Sequence, residues 1–242
     1  MTAVSLADAL RFRLPSFQRK LERARALIAD ALRHSEHPYV AFSGGKDSLL
    51  VLALAAAERP GIVAVWSDDE LEYADQPTYI PNVCEQLGAT LLVTLGYTTH
   101  GGWFTPWSDR PYWREPHPDA LHIGQRVETW MARQGYDCAF VGLRKSESTS
   151  RTAYLSAKGR LYRQRNGMWQ CNPLAGWSTD EVWAAIAGLG LPYNPVYDRL
   201  AAIGVERELQ RVGPLPLAPG WILQRGWPEM YRDLVARYGQ RW

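Results

Sequence analysis

Residues Ser43-Gly44-Gly45-Lys46-Asp47-Ser48 place two glycines, an ammonium, a carboxylate and two hydroxyls in six consecutive positions. Gly44 and Gly45 can turn the backbone through positive φ and let an anion approach the main chain closely. Lys46 adds a point charge, Ser43 and Ser48 add hydroxyl donors, and Asp47 is a carboxylate of the kind that holds a divalent metal. The hexamer follows the apolar run 39–42 and opens the apolar segment 49–57. A strand, a glycine turn and a helix start aim backbone N–H groups and a positive dipole end at an anion. The spacing is not Gly-x-x-x-x-Gly-Lys-[Ser/Thr], which excludes the Walker loop. The plainer alternative is a Gly-Gly turn carrying surface polar residues.

Two further stretches carry chemistry. Asp68, Asp69 and Glu70 follow the β-rich run 62–66, at the strand end where open α/β sheets bind ligands; the plainer alternative is that Asp69 and Glu70 cap or solvate a helix start. Residues 142–151 begin with Gly142 and include Arg144, Glu147, Ser148 and Arg151. Either arginine can fork onto phosphate or carboxylate, and Glu147 can take a metal or orient one of them.

The elements that must position these residues follow from periodicity. Phe17, Leu21, Ala24, Ile28 and Ala31 recur at four- and three-residue steps, which predicts an amphipathic helix over 16–33. Its other face carries Arg19, Lys20, Arg23, Arg25 and Arg33, either a solvated face or a polyanion contact. Helices are expected over 48–59, 78–87 and 121–134, with strands over 39–42, 62–66, 90–95 and 138–141. Asn166-Gly167 joins 161–165 and 168–172 as a hairpin. Ser178 and Glu181 form a capping box for a helix that runs to Gly190. The alternation predicts an α/β fold with a doubly wound, mostly parallel five-stranded sheet and helices on both faces. Residues 1–198 read as one domain, with helix 16–33 packed on it. Residues 199–242 read as a mainly helical or irregular extension of it. Segment 96–122 breaks the rhythm with four prolines, three of the five histidines and the aromatics Trp103, Phe104, Trp107, Tyr112 and Trp113. It reads as a substrate loop or lid, or as a surface excursion.

The bulk numbers exclude several classes. The 242 residues, 46% hydrophobic and 21% charged, suit one globular domain with a sizeable core. A net charge of +2 gives no bulk attraction to nucleic acid. The three cysteines, Cys84, Cys138 and Cys171, form no C-x-x-C pair and no disulfide framework. No apolar run reaches membrane-span length, and residues 1–14 carry Asp8, Arg11 and Arg13, unlike a secretory signal; the expected compartment is the cytoplasm.

Residues 43–48 resemble the pyrophosphate loop of the PP-loop ATPases, the adenine nucleotide alpha hydrolases. Asp68, the 142–151 segment, the Pro173-Leu174-x-x-Trp177 element and the 191–197 turn are similar to the phosphoadenosine phosphosulfate (PAPS) reductase branch. The resemblance spans residues 38–198 and implies a HUP-like fold, ATP with Mg2+ and cleavage at the α-phosphate. It implies nucleotide contacts from Ser43, Gly44, Gly45, Lys46, Asp47, Ser48, Asp68, Gly142, Glu147 and Ser148, with Asp47 also on the metal. Lys46, Asp47, Arg144 and Arg151 would be catalytic. True reductases of this branch attack sulfur with a tail cysteine, whereas no cysteine follows Cys171 here. The resemblance therefore implies an ATP pyrophosphatase or adenylyltransferase, with Cys171 as the nucleophile of an alternative reductase reading and a non-catalytic nucleotide-binding subunit as a third. Sulfate adenylyltransferase small subunits and DNA phosphorothioation ATPases resemble this chain in lacking the tail cysteine. The latter also resemble it around Arg207, Arg211 and Gly213. That likeness implies nucleic acid or a modification-complex protein as partner, with a homodimer as one expected assembly.

Overall fold

Ser5 and Asp8 cap each other at the head of a short helix, α1 (Leu6–Phe12). Pro15, whose missing N–H is no loss in a first turn, starts α2 (Pro15–Arg33). The stripe Phe17, Leu21, Ala24, Ile28 and Ala31 is buried throughout, as its spacing predicts. The structure, a computed structural model, describes residues 2–69, 71–95, 119–121, 123, 126–213, 215 and 218–238. Nearly all of the aromatic segment 96–122 lies outside the described residues.

After α2 comes β1 (Pro38–Ala41), the glycine turn, and α3 (Lys46–Glu58), which is buried on almost every face. Then follow β2 (Val63–Asp68), α4 (Gln76–Gln86), β3 (Thr90–Leu95), α5 (Val127–Arg133) and β4 (Cys138–Phe140). A single 3-10 turn, Lys145–Glu147, leads into α6 (Thr149–Lys158), β5 (Leu161–Arg163), β6 (Trp169–Cys171) and α7 (Thr179–Leu189). The chain closes through α8 (Val196–Ala202), α9 (Gly220–Gly226) and α10 (Pro228–Tyr238).

The sheet order is β3-β2-β1-β4-β6-β5, parallel except for β5. It has six strands where five were expected. The Asn166-Gly167 turn folds the chain back, so β6 runs parallel to β4 and β5 is left as an antiparallel edge. The expected helix 121–134 begins only at Val127, because Leu121 exchanges backbone bonds with the end of β3 instead. In the other direction, α4 begins two residues early, since Pro77 is tolerated in a first turn.

Alternate residues of the strands face opposite ways. Val40, Phe42, Ala64, Trp66 and Phe140 join the main core with α2, α3, α4 and α7. Tyr39, Val65 and Ala139 face the other side, against Met131 of α5 and Met168. Helices therefore cover both faces, four on one and a single described helix on the other. A separate apolar cluster ties α8, α9 and α10 to Leu71 and Tyr73, with the Trp227 and Tyr73 rings 4.5 Å apart. No helix among the described residues is long and apolar enough to cross a membrane.

The chain runs outward from β1 to β2 and β3, then returns to place β4 on the other side of β1. The strand order reverses between β1 and β4, and an open α/β sheet forms a crevice outside its strand ends at that point.

Candidate active site

A cleft of about 410 Å3 opens at that reversal. Ser43, Gly45, Lys46, Asp47 and Ser48 line it from the glycine turn, Gly142, Glu147 and Arg151 from the segment after β4, and Asp69 from the end of β2. Two loops more than ninety residues apart in sequence therefore meet as expected. Gly142 makes that approach feasible: a Cβ there would sit 2.9 Å from the Asp47 carbonyl carbon and the Ser48 nitrogen.

The glycine turn is held from behind. Gly44 has φ +73, a left-handed conformation that other residues rarely adopt. Gln76 Nε2 donates to Ser43 O at 3.1 Å. Asn194 Nδ2 donates to Gln76 Oε1 at 2.6 Å and approaches Gly44 O at 3.4 Å. Both amides are fully buried. Ser48 Oγ closes the turn by donating to Gly45 O at 3.0 Å and accepting from Ser43 N at 3.2 Å. The buried Tyr197 hydroxyl accepts the Lys46 N–H at 2.9 Å. The rest of the first turn of α3 keeps backbone donors that no intrahelical carbonyl can reach, and a helix N-terminus of this kind suits an anion.

The charged side chains form a ladder. Arg144 Nε donates to Asp47 Oδ1 at 2.6 Å, and Lys46 Nζ lies 3.2 Å from Asp47 Oδ2. Glu147 Oε2 accepts the Arg144 N–H at 3.1 Å and pairs with Arg151 Nη1. The Lys46 side chain is only 1% exposed, with its ammonium 5.6 Å above the Tyr197 ring. Burial lowers its pKa, and the Asp47 charge opposes that shift. The same burial raises the Tyr197 pKa and keeps its hydroxyl neutral.

Several expected contacts are redistributed. Arg144 does not line the cleft; it is 1% exposed, braced by Ser146 Oγ at 2.8 Å and by Trp177 O and Thr179 Oγ1 at 3.5 and 3.4 Å. Its reach ends on Asp47, which it holds in place. Asp68 is fully buried and Asp69 is the carboxylate that lines the cleft, because neighbouring residues at a strand end face opposite ways. Ser148 is the N-cap of α6, accepting from Arg151 N at 3.2 Å, and does not line the cleft. Gly44 contributes the turn, with Gly45 exposed to the cleft beside it.

Asp47 does not fit the expected role of metal ligand. Each of its oxygens already faces a cation, so a Mg2+ there would sit against Arg144 and Lys46. No cluster of three or more His, Cys, Asp or Glu able to hold a metal occurs among the described residues.

Gln76 is a position that sequence reasoning passed over, while Asn194, Tyr197 and Arg211 carried a resemblance but no stated part in the site. Arg211 lines the cleft beside Val212 and Gly213, with Nη1 donating to Glu208 O at 2.6 Å and Gln210 O at 2.9 Å. It is exposed, and its charge is felt by Lys46 and Tyr197. Arg207, four residues earlier, is instead locked between Asp8 at 2.6 Å and Asp180 at 3.2 Å.

The family model for the phosphoadenosine phosphosulfate reductase domain matches residues 37–217, taking in both loops and the Arg211 segment. The chain belongs to this family. The sulfate adenylyltransferase subunit 2 of Methylorubrum extorquens (strain PA1) is similar to it, 25% identical across 90% of this chain and 78% of that protein. The subunit 2 of Methylobacterium sp. (strain 4-46) is 26% identical across 86% and 75%. Among solved structures, a PAPS reductase from Candida auris in a phosphate complex shares the fold, with a TM-score of 0.55 at 16% identity over 79% of this chain and 88% of that one. Cys171, the nucleophile of the alternative reductase reading, is not brought to the cleft. It is fully buried under α2, and burial pushes its pKa far up.

Proposed function

We propose that this chain binds ATP in the cleft and cleaves it at the α-phosphate, passing the adenylyl group to an anionic acceptor. The observation that carries the proposal is the glycine turn at the sheet's reversal point, its carbonyls tied back by Gln76 and Asn194 and the start of α3 open to the cleft. The adenylyltransferase relatives, matched along most of the chain, support the choice of ATP.

In this reading the N–H groups of the turn that are not already spent on Ser48 Oγ and the Tyr197 hydroxyl, with the Ser43 hydroxyl, hold the β- and γ-phosphates. Lys46 and Arg144 act through Asp47 as the positive floor of the loop. Arg151 and Arg211 flank the reacting side, where they meet the charge that builds on the α-phosphate and on the acceptor. An acceptor oxygen attacks the α-phosphorus as the bond to the bridging oxygen breaks, and pyrophosphate leaves with the bond electrons. Sulfate and a nucleic-acid phosphate are both anions that Arg151 and Arg211 would hold. Magnesium accompanies ATP chemistry of this kind, but Asp47, with Arg144 and Lys46 against its two oxygens, is not the residue to hold it.

The test is exchange of labelled pyrophosphate into ATP, measured with a panel of acceptor anions that includes sulfate. Label is expected to enter ATP with at least one acceptor, and Arg211→Ala should lower the exchange rate by about 10²-fold, the scale of losing one stabilising donor. Binding of ATP with no exchange for any acceptor, or release of ADP and inorganic phosphate instead, would count against α-phosphate chemistry.

A further inference from the structure

Residues 145–165 carry six Lys and Arg against the single Glu147, a net +5 in a chain whose total is only +2. The rest of the molecule is therefore mildly acidic, and the positive charge is concentrated on α6 and the β5–β6 hairpin. Ten-residue α6 buries only Leu155. Lys158, Arg160, Arg163 and Arg165 are all exposed, and none is paired with a carboxylate among the described residues. The Arg163 guanidinium lies over the Trp169 ring, 5.5 Å from its centroid, a contact that ties it to the hairpin. Tyr154, 42% exposed, meets Tyr162 edge to face with their hydroxyls in contact, so an aromatic pair sits between the cations.

The basic face of α2 is built differently. Lys20 pairs with Glu181 at 2.7 Å, Arg25 with Glu22 at 3.0 Å and Arg33 with Asp30 at 2.5 Å. Three of its five cations are neutralised within the protein, and none of the five lines the cleft. The first turn of α6 supplies Arg151 to the cleft wall, so the unpaired cations continue outward from the proposed reacting centre.

We infer that α6 and the β5–β6 hairpin form a docking surface for nucleic acid, binding its phosphate backbone beside the cleft. Unpaired, solvated Lys and Arg release condensed counterions when they meet phosphates, and interleaved aromatics give bases a face to stack on. An acidic protein surface would find the charge but no use for the tyrosine pair. The inference rests on the proposed ATP chemistry only for what docking would achieve; the docking itself needs no ATP.

The experiment is fluorescence-anisotropy binding of labelled single- and double-stranded oligonucleotides to the full chain without nucleotide, across a salt series. Wild type is expected to bind at about 50 mM salt with a steep salt dependence. The triple variant Lys158→Glu, Arg163→Glu, Arg165→Glu should bind at least about tenfold more weakly, with its log–log salt slope reduced by about two. Reversal of Arg19 and Arg23 on α2 should leave affinity within about twofold, and alanine at Lys158, Arg163 and Arg165 should fall in between. No binding at low salt, equal binding by the triple variant, or equal competition by polyglutamate of matched charge would each overturn the inference. Pyrophosphate exchange measured on the same variants separates the two proposals, because the triple variant should retain exchange with a small acceptor such as sulfate if sulfate serves.

Discussion

The glycine turn and the α6–hairpin surface are both rich in cations but hold them in opposite ways. At the turn, Lys46 and Arg144 are buried and committed to Asp47, and the loop carbonyls are taken by buried amides. On α6 and the hairpin that follows it, Lys158, Arg160, Arg163 and Arg165 stand in solvent with no acidic partner among the described residues. Removing a buried partner strands a charge in a medium that cannot hydrate it, whereas removing a surface charge costs the fold little. Stability should therefore be concentrated at the turn, while the hairpin is free to serve a partner.

Arg144→Met gives the largest test of that contrast. It leaves Asp47 and Glu147 without their shared buried cation, and losing one partner of a buried pair costs about 3–5 kcal/mol. Urea unfolding should show a loss of that size, with the midpoint moved and the slope unchanged. A loss below about 1 kcal/mol would mean that Arg144 is not the anchor its contacts describe. Asn194→Ala comes next. It removes the donor to Gln76 Oε1 and the acceptor of the Val196 N–H, and stranding buried polar groups costs about 1–3 kcal/mol each. Because the amide also steadies the turn, KM for ATP should rise along with the loss of stability. A stability loss with unchanged KM would show a structural brace that does not position the loop.

Much of this was legible in the sequence where local pattern decides structure. The 43–48 turn, the α2 stripe, the Asn166-Gly167 hairpin and the Ser178–Glu181 box all stand where spacing put them, since each depends on neighbours within a turn or two. What was not legible depends on contacts across long sequence separations. Gln76 and Asn194 lie 118 residues apart and carry no local sign that they brace one loop. Arg144 looked like a phosphate clamp because its neighbours are rich in anion-binding side chains. Only packing against Trp177 and Thr179 shows that it is sealed behind Asp47. The choice between Asp68 and Asp69 turned on the phase of a strand end, and a continuous apolar run does not reveal that phase.

Gly44→Ala probes the turn's backbone separately from its charges. A left-handed alanine costs about 1–2 kcal/mol, and its Cβ would also overlap Gln76 Oε1. The expected outcome is a moderate loss of stability together with a drop in ATP affinity measured by calorimetry. If affinity is unchanged, the turn tolerates another path and its conformation is not what presents the N–H groups.

The smallest expected effect is the most informative. The triple reversal at Lys158, Arg163 and Arg165 breaks no pair with a described carboxylate, and surface changes of this kind usually stay within about 0.5 kcal/mol each. Removing Arg163 gives up its cation–π contact with Trp169, so that position should account for most of whatever loss occurs. Arg163→Lys, which keeps the charge but lacks the planar guanidinium, divides the two contributions. If the lysine variant matches wild type in salt-dependent oligonucleotide binding while its melting midpoint falls slightly, the contact with Trp169 serves the hairpin and the charge serves the ligand. If binding falls with the midpoint, orientation of the guanidinium is itself part of recognition, and the surface is more ordered than a simple electrostatic face.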